Sequence, residues 1–156
     1  MVFITSPEER KEVAAEVKEN KPETDLVFVY GSLKQGFRLN HLLKKAQFVM
    51  EGVTKKGKFE MFTPNDAWPA IVQGKYRIKG EVYRVSPETI ERLDQAEGVP
   101  HLYERKLVKV KGLAGLCYFY IAGDRLAAIS NRLEYKSPRI VTDKRYNTQE
   151  WVNAPH

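Results

Sequence analysis

One cysteine, three histidines and no apolar run approaching the roughly 20 residues that span a bilayer set the first limits on this chain. A single thiol, Cys117, excludes an internal disulfide, and its place in an apolar run reads as a small buried hydrophobe. His41, His101 and His156 are too far apart in sequence for any recognised metal spacing, so no metal site is expected. Gly31 to Gly36 matches neither a phosphate-binding loop nor a dinucleotide fingerprint. Ser32 lacks the second glycine of a nucleophile elbow and has no evident His/Asp partners. Covalent serine chemistry is therefore disfavoured. The first residues, Met1 to Glu16, carry four acids and no apolar core, which argues against a secretion signal. A cytoplasmic protein without a membrane partner is the expectation.

What is present fits one soluble-type domain. At 156 residues, with 42% hydrophobic and 29% charged residues, the chain is long enough to bury a real core. The net charge of +6 permits an anionic partner. The basic residues are scattered, however, as Lys44-Lys45, Lys55-Lys56, Lys106, Lys109, Lys111 and Lys144-Arg145, with acids between them. They read as solvated faces, which argues against nucleic acid. A monomer or weak homodimer is expected.

The chain is organised around Asp25 to Gly36. Leu26 to Tyr30 has the composition of a buried strand, which stops at Gly31-Ser32. Leu39, Leu42, Leu43 and Ala46 then recur at helical spacing, so the stretch reads as strand, tight loop and short helix. Amides left unpaired in such a loop can hold a carboxylate or an oxyanion, aided by the helix dipole. From the residues alone, an ordinary strand-to-helix turn is the better reading.

Upstream, Ser6-Pro7-Glu8-Glu9 is a capped helix start, and a helix from about Pro7 to Glu19 is expected within an appendage of residues 1–24. The main domain is read as residues 25–135. It holds expected strands over 47–54, 58–62, 68–72, 76–85, 104–111 and 114–121. Gly80 inside one of them marks a bulge or a close backbone approach. Ser86-Pro87 opens a helix ending near Ala96, and another is expected over 125–135. Residues 136–156 give a weak signal and read as a tail. Many short strands with few helices suggest an α+β fold built on a small, mostly antiparallel barrel.

Glu97 is the acid that stands out. A helix C-terminus disfavours negative charge, Asp94 adds like charge, and Val99, Pro100, Leu102 and Tyr103 can desolvate it. All three effects raise a carboxyl pKa, which suits a group that takes and gives a proton near neutrality. The alternative is a solvated glutamate on a helix end.

Two segments together narrow the reading. Val29-Tyr30-Gly31-Ser32-Leu33-Lys34-Gln35-Gly36 is followed about sixty residues later by Leu93-Asp94-Gln95-Ala96-Glu97-Gly98-Val99-Pro100-His101-Leu102-Tyr103-Glu104-Arg105. With Trp68-Pro69-Ala70-Ile71-Val72 and Gly80-Glu81-Val82-Tyr83 between them, the chain resembles the gamma-glutamylcyclotransferase-like family. Its nearest branch is that of the gamma-glutamylamine cyclotransferases and the plant avirulence-induced proteins. The resemblance covers Leu26 to Ala122 and implies a mostly antiparallel β-barrel flanked by helices. It implies that the backbone of Tyr30, Gly31, Ser32 and Leu33 binds the glutamyl group and its developing oxyanion. It also implies that Glu97 is the acid/base catalyst and that Tyr103 lines the pocket. The implied reaction releases 5-oxoproline and a free amine from a small γ-glutamyl substrate, without metal or cofactor. The alternative is a non-catalytic binding module on the same fold, using the pocket or the basic surface for an anionic ligand or nucleic acid. The N-terminal helix and the tail depart from the family pattern and leave the leaving amine open.

Overall fold

The computed structural model describes residues 25–130 and 136–153. The expected helix over 7–19 lies outside the described residues, as does the end of the one expected over 125–135. The strands are β1 (Asp25–Val29), β2 (Gln47–Val53), β3 (Phe59–Phe62), β4 (Ala70–Gln73), β5 (Arg77–Val85), β6 (Tyr103–Lys109), β7 (Leu116–Ala122), β8 (Ile140–Asp143) and β9 (Thr148–Trp151). Helix α1 (Pro87–Ala96) follows β5, and α2 (Asp124–Ser130) follows β7.

The main sheet runs β6-β7-β1-β5-β9-β8, with β2 also paired to β5, and β3 and β4 form a separate pair. Pairing is antiparallel except for β1 with β7 and β5 with β9. At one end the sheet curls back on itself. Thr54 bridges Val110, and Lys111 N–H donates to the Val53 carbonyl at 2.9 Å. The result is a curled, mixed half-barrel with two α-helices among the described residues, the α+β architecture expected.

From Leu26 onward strand β1 is apolar, because both its faces are covered. Val27 and Val29 pack on one side with Tyr83, Leu93, Tyr103 and Tyr120. Phe28 and Tyr30 pack on the other with Ile78, Val82, Val108, Phe119 and Trp151. The two strands meet closely at Gly80, where a Cβ would fall 2.4 Å from the Val29 carbonyl oxygen. Of the two readings of Gly80, the close approach holds; the register shift lies in β2, between Phe48 and Met50.

Helix α1 follows its sequence signals. Ser86 accepts the Thr89 N–H at 3.2 Å, Pro87 occupies the first turn, and Ile90 and Leu93 are buried. The helix expected after the first glycines is only a four-residue 3₁₀ turn, Asn40–Leu43. Leu39 N–H is already committed to the Ser32 carbonyl at 2.8 Å, and the loop closes instead by successive three-residue steps. The loop is therefore not followed by an α-helix whose dipole could aid Gly31 and Ser32.

Residues 136–153, for which the sequence offers no motif, supply two strands. β9 pairs in parallel with the start of β5, and Trp151 is fully buried. Replacing Trp151 with alanine should lower stability by about 3–5 kcal/mol through the cavity left behind. Urea unfolding of the two proteins checks this; an unchanged midpoint would mean that the last strand is not part of the core.

Candidate active site

The loop after β1 forms one wall of a cavity of about 170 Å³. Trp68 and Pro69 before β4, the end of α1, Leu102-Tyr103 at the start of β6 and Tyr120 of β7 complete it. A cavity of about 150 Å³ accepts benzene, so this one admits a small ligand group.

The loop is folded by its own backbone. The Gly31 carbonyl accepts Lys34 N–H at 3.0 Å, and the Ser32 carbonyl accepts Leu39 N–H. The N–H groups of Gly31, Ser32 and Leu33 have no partner among the described residues. Three successive amides at the mouth of a cavity are the donors that an anion or an oxyanion requires. Gly31 is dictated by space, since a Cβ there would lie 2.7 Å from Pro69 Cγ.

Three tyrosines fix the walls. Tyr30 Oη donates to the Tyr120 carbonyl at 2.6 Å, and Tyr103 Oη donates to the Pro69 carbonyl at 2.6 Å. Tyr120 Oη donates to Asp94 Oδ1 at 2.8 Å, and Arg105 Nη1 lies 3.0 Å from Asp94 Oδ2. Burial, the largest cause, raises the pKa of all three phenols, and the charge of Glu97 adds to the rise in each. They are rigid, neutral walls.

Glu97 follows the last residue of α1, with its N–H on the Leu93 carbonyl at 2.9 Å, and Gly98 at φ +62° turns the chain away. Glu97 lines the cavity, partly buried, and its carboxyl has no ion pair or hydrogen bond among the described residues. Burial pushes its pKa up to about 7. The like charge of Asp94, expected from the sequence to contribute, plays no part in this rise. Asp94 is neutralised by Arg105 and tied by Tyr120, and desolvation remains the cause.

The structure thus brings Tyr30, Gly31, Ser32, Leu33, Glu97 and Tyr103 to one cavity. His101, the nearest histidine in sequence to Glu97, is exposed and lines no part of it. Sequence reasoning missed Arg38 and Leu39, which the back-folded loop returns to the cavity, and Trp68 and Pro69 opposite Gly31. The only signal for Pro69 was its place in the Trp-Pro-Ala run.

The sequence model of a family described as gamma-glutamyl cyclotransferase, AIG2-like, matches residues 27–148. The chain belongs to that family. A Methanocaldococcus jannaschii protein named "Putative gamma-glutamylcyclotransferase MJ1514" is 39% identical over 105 residues, covering 62% of this chain and 84% of its own length. Gamma-glutamylaminecyclotransferase A of Danio rerio is 31% identical over 97 residues, covering 57% of this chain and 60% of its own. Among solved structures, an AIG2-like protein of Mus musculus superposes with a TM-score of 0.58 at 25% identity, covering 65% of this chain and 78% of that one. A Pyrococcus horikoshii protein superposes with a TM-score of 0.54 at 27% identity, over 71% of this chain and 99% of its own. This AIG2-like chain is therefore an enzyme of the gamma-glutamylcyclotransferase type, and its cavity is the candidate active site.

The raised pKa of Glu97 has a stability signature. The folded state holds the proton more tightly than the unfolded chain, so stability is lost as pH rises from about 4.5 through about 7. Glu97→Gln removes that loss. The variant should match the wild type near pH 4 and exceed its stability by about 3 kcal/mol at pH 8. Urea unfolding at the two pH values checks this; a constant difference would place the Glu97 carboxyl in free water.

Proposed function

We propose that the chain cyclises a small γ-glutamyl compound, releasing 5-oxoproline and a free amine. The observation that carries the reading is the unpaired, partly buried Glu97 carboxyl sharing a cavity with the free amides of Ser32 and Leu33.

The nucleophile belongs to the substrate. Its α-amine nitrogen attacks its own γ-carbonyl carbon, a new C–N bond closes a five-membered ring, and the carbonyl oxygen becomes an oxyanion. The bond from that carbon to the departing nitrogen then breaks, which restores the carbonyl. Starting from the ammonium form, the attacking nitrogen gives up two protons, both of which pass to the departing nitrogen, so that the amine leaves as an ammonium ion and no water is consumed. The protein must bend the substrate into attack geometry, hold the oxyanion with fixed donors and carry the proton. The backbone of Tyr30, Gly31, Ser32 and Leu33 is assigned the glutamyl group and the oxyanion. Glu97 is assigned the proton, and Tyr103 a wall that keeps the chain of the substrate folded. Arg38 stands exposed on the cavity rim, where the departing amine would leave.

Two measurements test the assignment. Glu97→Gln should fold normally and release 5-oxoproline from γ-glutamyl amines at least about 100-fold more slowly; wild-type turnover in that variant removes Glu97 from the mechanism. The carboxylate form begins the reaction, since it must take a proton from the substrate ammonium. The kcat/KM of the wild type should therefore climb as pH rises through about 7 and flatten above it. A profile that falls over that range contradicts a basic role.

A further inference from the structure

Two ionisable side chains that this reaction does not use are buried beside the loop. Glu81 on β5 is 9% exposed and Lys34 is 6% exposed, and neither lines the cavity. Lys34 Nζ donates to the Trp151 carbonyl at 2.6 Å. Glu81 Oε1 accepts the Gln35 N–H at 2.9 Å and the Tyr83 hydroxyl at 3.0 Å. Asn40 Nδ2 donates to Tyr83 Oη at 3.3 Å and to the Leu33 carbonyl at 2.9 Å. One carboxylate thus holds the loop at two places, directly at residue 35 and by a relay at residue 33.

Those places govern where the free amides point. In a planar trans peptide the carbonyl and the following N–H face opposite ways. The Gly31 carbonyl turns inward to Lys34 N–H, so the Ser32 N–H must turn outward. The Ser32 carbonyl turns to Leu39 N–H, and the Leu33 N–H is reversed in the same manner. Both inward bonds need residues 33 to 40 held in their fold, which is what Gln35 and Asn40 secure from β5. An ionised acceptor makes such bonds about twice as strong as a neutral one.

We propose that Glu81 is a positioning residue, whose carboxylate fixes the aim of the Ser32 and Leu33 amides from behind the loop. The role rests on the cyclotransferase reading of the cavity. Two variants and two readouts test it. Glu81→Ala removes both bonds, whereas Glu81→Gln keeps an acceptor oxygen in place. With a γ-glutamyl amine as substrate, Glu81→Ala should lower kcat by about 10- to 100-fold, since one displaced oxyanion donor costs about that much or more. KM should change far less, and Glu81→Gln should restore most of kcat. The ¹H–¹⁵N resonances of Ser32 and Leu33, read without substrate, should shift in Glu81→Ala and return towards wild type in Glu81→Gln. Wild-type kcat with unmoved resonances in Glu81→Ala overturns the proposal, as does an equal loss in the glutamine variant. Should Glu81→Ala not fold, Tyr83→Phe keeps the carboxylate and cuts its relay to Asn40. A wild-type kcat and unmoved resonances there count equally against it. Absence of 5-oxoproline from the wild type would instead refute the cyclotransferase reading, while the resonances still judge whether Glu81 sets the amides.

Discussion

A carboxyl that is partly withdrawn from water and given no cation resists ionising, and the cavity of this protein is built to keep Glu97 in that condition. Asp94, the other acid at the end of α1, is satisfied by Arg105 and Tyr120. The phenols around the cavity spend their hydrogens on the Tyr120 and Pro69 carbonyls and on Asp94. No described residue pairs with or hydrogen-bonds to the Glu97 carboxyl, so burial raises its proton affinity until it is nearly balanced at neutral pH. The same walls that withhold a partner from Glu97 leave the loop amides without one. An unpaired acid and unpaired donors then face a common space.

The half-barrel makes this arrangement rigid. β1 is covered on both faces, so the point where the chain leaves the sheet at Tyr30 is fixed by packing from either side. Pro69 lies against Gly31 so closely that no side chain could intervene. β5 acts on the site twice, through Gly80 against the Val29 carbonyl and through Glu81 against Gln35. β9, far along the chain, closes behind the loop and offers its Trp151 carbonyl to Lys34. Bonds of this kind hold the loop in one arrangement, which is what the oxyanion role proposed for its amides would require.

Local signals carried much of this. The cap and proline of α1, its end at Ala96 and the glycine beyond Glu97 were legible because helix termini are set by neighbours within four residues. The buried nature of β1 was legible from its composition. The 3₁₀ turn at Asn40–Leu43 was not, because helical spacing of leucines records which face is buried and not whether the backbone amides are free to continue a helix. Here Leu39 N–H had been claimed by Ser32. β8 and β9 were illegible for a related reason: short, polar-rich strands owe their existence to the edge they join.

The amino-acid order alone determined the kinds of group available: a strand, a glycine-bearing loop, a capped helix and an acid at its end, with no thiol pair or histidine cluster to compete. Only the folded chain decided that the acid and the loop line one cavity, that Asp94 is spent elsewhere, and that Glu81 bonds to the loop. Burial and charge pairing are sums over residues distant in sequence. A pKa, and the aim of an amide, belong to the three-dimensional arrangement and to no single stretch of the chain.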